Sequence, residues 1–70
     1  MTCDLILDEQ GGWWIQWKSE KGKCHTKFLD KATDQSEAES EAHSQGFNEM
    51  TVFHGDDLHS RVVIPKTPFP

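Results

Sequence analysis

The residues of this chain best suited to chemistry lie close together near its C-terminal end: His54, Asp56, Asp57 and His59. Imidazole and carboxylate are reasonable ligands for zinc or a related divalent ion. However, the two histidines flank Gly55-Asp56-Asp57, which has the composition of a hairpin turn. Aspartate is common in turns because its side chain bonds the local backbone. Turn chemistry is the expected role, and no metal is expected. Glu37 and Glu41 are carboxylates one helical turn apart, but nothing apolar surrounds them to shift their protonation, as acid–base work requires. Cys24 and His25 are neighbours in a strand-like run, so their side chains point to opposite faces and make no dyad. The chain carries no G-x-S-x-G, P-loop or H-E-x-x-H, and a domain this short leaves little room for a water-excluding pocket. The expectation is a protein that is not an enzyme and needs no cofactor.

The elements that would position these residues centre on Gly11-Gly12-Trp13-Trp14-Ile15-Gln16-Trp17, which holds all three tryptophans. Glycines followed by alternating large side chains read as the second arm of a β-hairpin. Trp13, Ile15 and Trp17 share one face of that strand, and Trp14 and Gln16 share the other. Upstream, Cys3 to Asp8 alternates, with Cys3, Leu5 and Leu7 on one side and Asp4, Ile6 and Asp8 on the other; Glu9 to Gly12 is the turn. Ser19 to Gly22 forms a second turn. Lys23 to Phe28 alternates again, with Cys24, Thr26 and Phe28 expected inward and Lys23, His25 and Lys27 outward.

The periodicity then changes. Asp34-Gln35-Ser36-Glu37 has the form of a capping box, and Gln45-Gly46 closes the helix. Ala38 and Ala42, an i, i+4 pair, are the helix's only apolar residues, so its axis can approach the sheet closely. Phe47 is expected to pack at the helix exit. Met50 to His54 reads as a fourth strand and His59 to Ile64 as a fifth, with Gly55-Asp56-Asp57 between them. Pro65, Pro68 and Pro70 imply an extended tail over 65–70, since proline cannot donate to a ladder. The fold class predicted is α+β: an antiparallel sheet in the order β-β-β-α-β-β, with one helix packed on one face. The 70 residues form a single small domain, with no internal repeat or linker.

Composition narrows the function classes. With 34% apolar and 27% charged residues the chain has a globular balance. It has no apolar run of the roughly 20 residues that span a bilayer, and Asp4 stands where a secretory leader would be positive. A soluble, cytoplasmic protein without a membrane partner is expected, with Cys3 and Cys24 as buried free thiols. A net charge of −5 argues against direct nucleic-acid binding. Five of the seven cationic residues, Lys18, Lys21, Lys23, Lys27 and Lys31, precede a run of Asp34, Glu37, Glu39 and Glu41, so the surface is polarised.

Gly12, Trp14, Phe28, Ala38, Ala42, Val52, His54, Gly55 and Asp56 carry a resemblance. Their order is a W-x-x-W strand, a capped A-x-x-x-A helix and a V-x-H-G-x-D hairpin. In this the chain resembles a family of short bacterial domains of unknown function, over roughly positions 11 to 63. Asp57 stands near where that family has glycine. The resemblance brings no activity with it.

One helix covers only one face of a five-stranded sheet. The second face would then carry Trp14, Ile6 and Phe53, and exposed apolar clusters of that kind mark interfaces. A non-catalytic protein-binding module, or a homodimer, acting through this face is therefore expected. The alternative is an acidic inhibitor of a nucleic-acid-handling complex. There Asp34, Glu37 and Glu41 would mimic phosphates, and the chain is similar in size and charge to phage-encoded inhibitors such as anti-CRISPR proteins.

Overall fold

The computed structural model describes residues 2–64. It contains β1 (Thr2–Leu7), β2 (Trp13–Lys18), β3 (Cys24–Leu29), α1 (Gln35–Ser44), β4 (Glu49–His54) and β5 (Asp57–Val63). The fold is α+β, with the helix packed over β1 and β2 on one face of a five-stranded sheet. The proline-rich segment 65–70 lies outside the described residues.

The spatial order of the strands is β3-β2-β1-β4-β5. The sheet is mixed rather than wholly antiparallel, because β1 and β4 run parallel, with Leu5 opposite Val52 and Ile6 opposite Phe53. Chain direction explains the correction. The two hairpins leave β3 running the same way as β1, and a ten-residue helix about 15 Å long returns the chain to the end where β1 began. The next strand added beside β1 must then run parallel to it.

The core lies between the helix and the near face of the sheet. Cys3 and Leu5 of β1, Trp13 and Ile15 of β2, Leu29 of β3, and Met50 and Val52 of β4 are buried there, with Ala38 and Ala42 of the helix. The strands supply the bulk and the helix supplies closeness. Phe47 is buried at the helix exit, where its ring centroid lies 5.5 Å from that of the half-buried Trp17. Asp34 caps the helix by accepting from the Glu37 amide at 2.9 Å. Glu37 reaches back to the amide and hydroxyl of Thr33, one residue earlier than a capping box would place it.

β3 faces the opposite way from the expectation. Cys24, Thr26 and Phe28 are exposed on the far side of the sheet, and Leu29 is the residue it buries. Register is the reason. Trp13 pairs with Leu29 and Trp14 with Phe28, and paired residues share a face. Since Trp13 is in the core, Leu29 must be too, and His25 stacks on Trp17 at 5.2 Å.

Cys3 is buried as expected, but Cys24 is exposed. Burial, with the charge of Asp4 adding to it, pushes the Cys3 thiol up to about 12, so it stays protonated and unreactive at neutral pH.

Trp13 carries the largest side chain in this core, so Trp13→Ala should lower the unfolding free energy by about 3–5 kcal/mol. Denaturant titration reads this directly. A loss below about 1 kcal/mol would show that Trp13 is not a core residue.

Candidate interaction face

The far side of the sheet carries no helix. Cross-strand pairing links Phe28 to Trp14, Trp14 to Ile6, Ile6 to Phe53 and Phe53 to Leu58. Five apolar side chains therefore form one unbroken row across all five strands, about 19 Å long at the usual strand spacing. Trp14, Ile6 and Phe53, the residues expected from the sequence, are its half-buried centre. Phe28, at 44% exposure, and Leu58, at 68%, extend it to both edges.

Neither end of the row was expected. Alternation alone does not tell which face of a strand is inward, so Phe28 reads from the sequence as a core residue, whereas its pairing with Trp14 puts it on the open face. Leu58 is placed by a β-bulge: Val52 pairs with Ser60 while Phe53 pairs with Leu58, leaving His59 as the extra residue.

Asp8 organises one end of the face. Its carboxylate accepts from the Gln10 and Gly12 amides, both at 2.8 Å, and from Trp14 Nε1 at 2.9 Å. The indole N–H and then the Gly12 amide hold its pKa below the ordinary carboxylate value. Gly12 matters at this corner because a Cβ there would come within 2.8 Å of the Phe28 ring and 2.9 Å of Asp8. With that close approach, Trp14 and Phe28 tilt together at 5.0 Å between ring centroids. A hollow of about 400 Å³ lies between Asp8, Gln10, Gly12, Trp14 and Phe28.

On the other side of the row, Asp4 pairs with Gln16 and with Thr51. Among the described residues its carboxylate accepts no hydrogen bond and joins no ion pair. Burial pushes its pKa up. A hollow of about 680 Å³ opens beside it, lined by Gln16, Lys18 and Cys24 among others.

The other candidates are differently placed. His54 and His59 stack at 4.0 Å with 14° between their planes, and Trp13 meets His54 edge-on at 6.2 Å. Imidazole lone pairs lie in the ring plane, so two nearly parallel stacked rings do not aim at one point. Among the described residues no three His, Cys, Asp or Glu side chains group as metal ligands. Asp56 and Asp57 stand at the β4–β5 turn, where Gly55 has φ +65° and donates to Leu7 O at 2.8 Å. On the helix, Asp34 and Glu37 are occupied in capping, while Glu41 lines a shallow hollow with Lys31, Ser36 and Ser40. No described helix is long and apolar enough to cross a membrane.

Asp8 and Asp4 should respond oppositely to pH. The depressed pKa of Asp8 means that it stabilises the fold above its unfolded pKa, and the benefit fades as pH falls through its folded value. Asp8→Asn should lower the melting temperature at neutral pH and flatten its decline in acid, since the amide nitrogen cannot accept the Trp14 N–H. The raised pKa of Asp4 means that it disfavours the fold once both states are ionised, so Asp4→Asn should raise the melting temperature at neutral pH. Thermal melts between about pH 3 and pH 7 check both signs; a destabilised Asp4→Asn protein would contradict the unpaired carboxylate.

Comparison with protein-family models, curated proteins and solved structures finds no match to this chain.

Proposed function

We propose that this chain is a non-catalytic module that binds a partner protein through the open face of its sheet. The apolar row Phe28–Trp14–Ile6–Phe53–Leu58 is the observation that carries this reading. A straight apolar strip crossing every strand is an arrangement that water penalises and a partner relieves. A tryptophan near the centre of such a patch, as Trp14 is here, is a typical hot spot. Self-association through the same face is the weaker form of the reading. Two copies, each with a net charge of −5, would bring Asp4 and Asp8 of both together. The phosphate-mimic reading draws less support than the open face, because two of its three carboxylates already serve the helix terminus.

The test compares three variants as baits in pull-downs from the native host. Trp14→Ser is informative but also removes the indole hydrogen bond to Asp8. Phe53→Ser leaves that bond intact and carries the comparison. Both should lose the same captured protein, by about 30-fold or more in affinity. Glu37→Gln with Glu41→Gln should retain it, since exposed charges contribute little. Retention by Phe53→Ser and loss by the glutamine pair would reject the open face in favour of the helix acids. Circular dichroism of each variant guards against unfolding, and sedimentation of the unmodified chain reports any dimer.

A further inference from the structure

The open face specifies the charge of what covers it. Asp4, Ile6 and Asp8 alternate along one side of the chain, so the apolar row at Ile6 has a carboxylate on each flank, in the middle strand of the sheet. Each carboxylate borders a hollow wide enough for a side chain. Among the described residues no cation of this face is in ion-pair contact with either carboxylate, although Lys18 lines the hollow beside Asp4. Arg61 is held by Glu49 at 3.1 Å, and Lys18 forms no ion pair among the described residues. Asp4 in particular is half-buried and has no hydrogen-bond or ion-pair partner among the described residues, a position that a bound cation would relieve.

Shape narrows the occupant further. The row is one side chain wide and crosses the strands, with Thr26, Gln16 and Thr51 polar beside it. A docking sheet would have to cover those polar neighbours as well as the row. A helix presents a single apolar stripe, and about 13 residues of helix match a length of about 19 Å. We infer that the open face receives an amphipathic helix of a partner protein, its apolar stripe laid along Phe28–Trp14–Ile6–Phe53–Leu58 and basic side chains on both flanks meeting Asp4 and Asp8. Asp8 already accepts three N–H groups, so roughly one of its four acceptor positions is left; this suits a lysine ammonium better than a forked guanidinium. Asp4, which accepts no hydrogen bond among the described residues, can take an arginine.

This inference rests on the open-face reading, and synthetic helices test the two separately. Three peptides of about 14 residues are titrated into the isotope-labelled full chain and followed by amide chemical shifts. One has the apolar stripe with Lys and Arg flanks, one the same stripe with Gln flanks, and one the same basic composition with the stripe scrambled. The basic striped peptide should shift the amides of Ile6, Trp14 and Phe53 and bind about tenfold more tightly at low salt than the Gln-flanked one. Asp4→Asn should weaken the basic peptide by about fivefold and leave the Gln-flanked peptide unchanged. Equal binding of the two striped peptides, or no effect of Asp4→Asn, would overturn the charge inference and leave the open face standing. Shifts confined to α1, or equal binding of the scrambled peptide, would overturn the face reading as well. Failure of all three peptides to bind overturns the inference. The melting temperature of Asp4→Asn, expected to rise, is measured alongside so that a loss of binding is separated from unfolding.

Discussion

The structure depends on one constraint: a single helix, apolar only at Ala38 and Ala42, has to close the core of a five-stranded sheet. Alanine adds almost no volume, so the helix can seal the core only by lying close, and it then spans little more than β1 and β2. Bulk must come up from the strands to meet it, which is why Trp13, Ile15, Leu5, Met50 and Val52 lie beneath. The same economy leaves the far face without a cover. Core and candidate site are thus two results of one choice of helix.

Charge is distributed to suit that division. Asp34 and Glu37 serve the helix terminus, where backbone amides lack partners. Asp8 ties the first hairpin to the indole of Trp14, fixing the corner of the apolar row. Asp4 serves neither purpose. Stability alone would favour a neutral residue there, and sites that forgo stability are where binding is commonly found.

Much of this was legible in the sequence, and its limits follow from geometry. Element types and the faces of β1 and β2 followed from alternation, from the glycine turns and from the Asp34 cap. The expected centre of the contact patch, Trp14, Ile6 and Phe53, falls together because all three occupy one register line. Alternation in β3 marks two faces without saying which is inner; Phe28 looks like a core residue until its pairing with Trp14 is known. The parallel pairing of β1 and β4 depends on where the helix returns the chain, which local periodicity does not encode. Leu58 was hidden by the bulge at His59, which breaks the period-two rule.

That bulge has a consequence for how insertions and deletions would act on this protein. Ser60 lies opposite the core residue Val52, so uninterrupted alternation back along β5 would place Leu58 on the helix side. The extra residue reverses the orientation of the hairpin tip. It adds a fifth member to the open row and lets His59 lie against His54 on the other side. Deleting His59 would put Leu58 next to Ser60 in plain alternation, still opposite Phe53 on the open face. The row would keep all five members, and only the stack of His59 on His54 would be lost. Residue count at this one position therefore decides whether the two imidazoles meet, while the breadth of the exposed surface follows from the Phe53–Leu58 pairing.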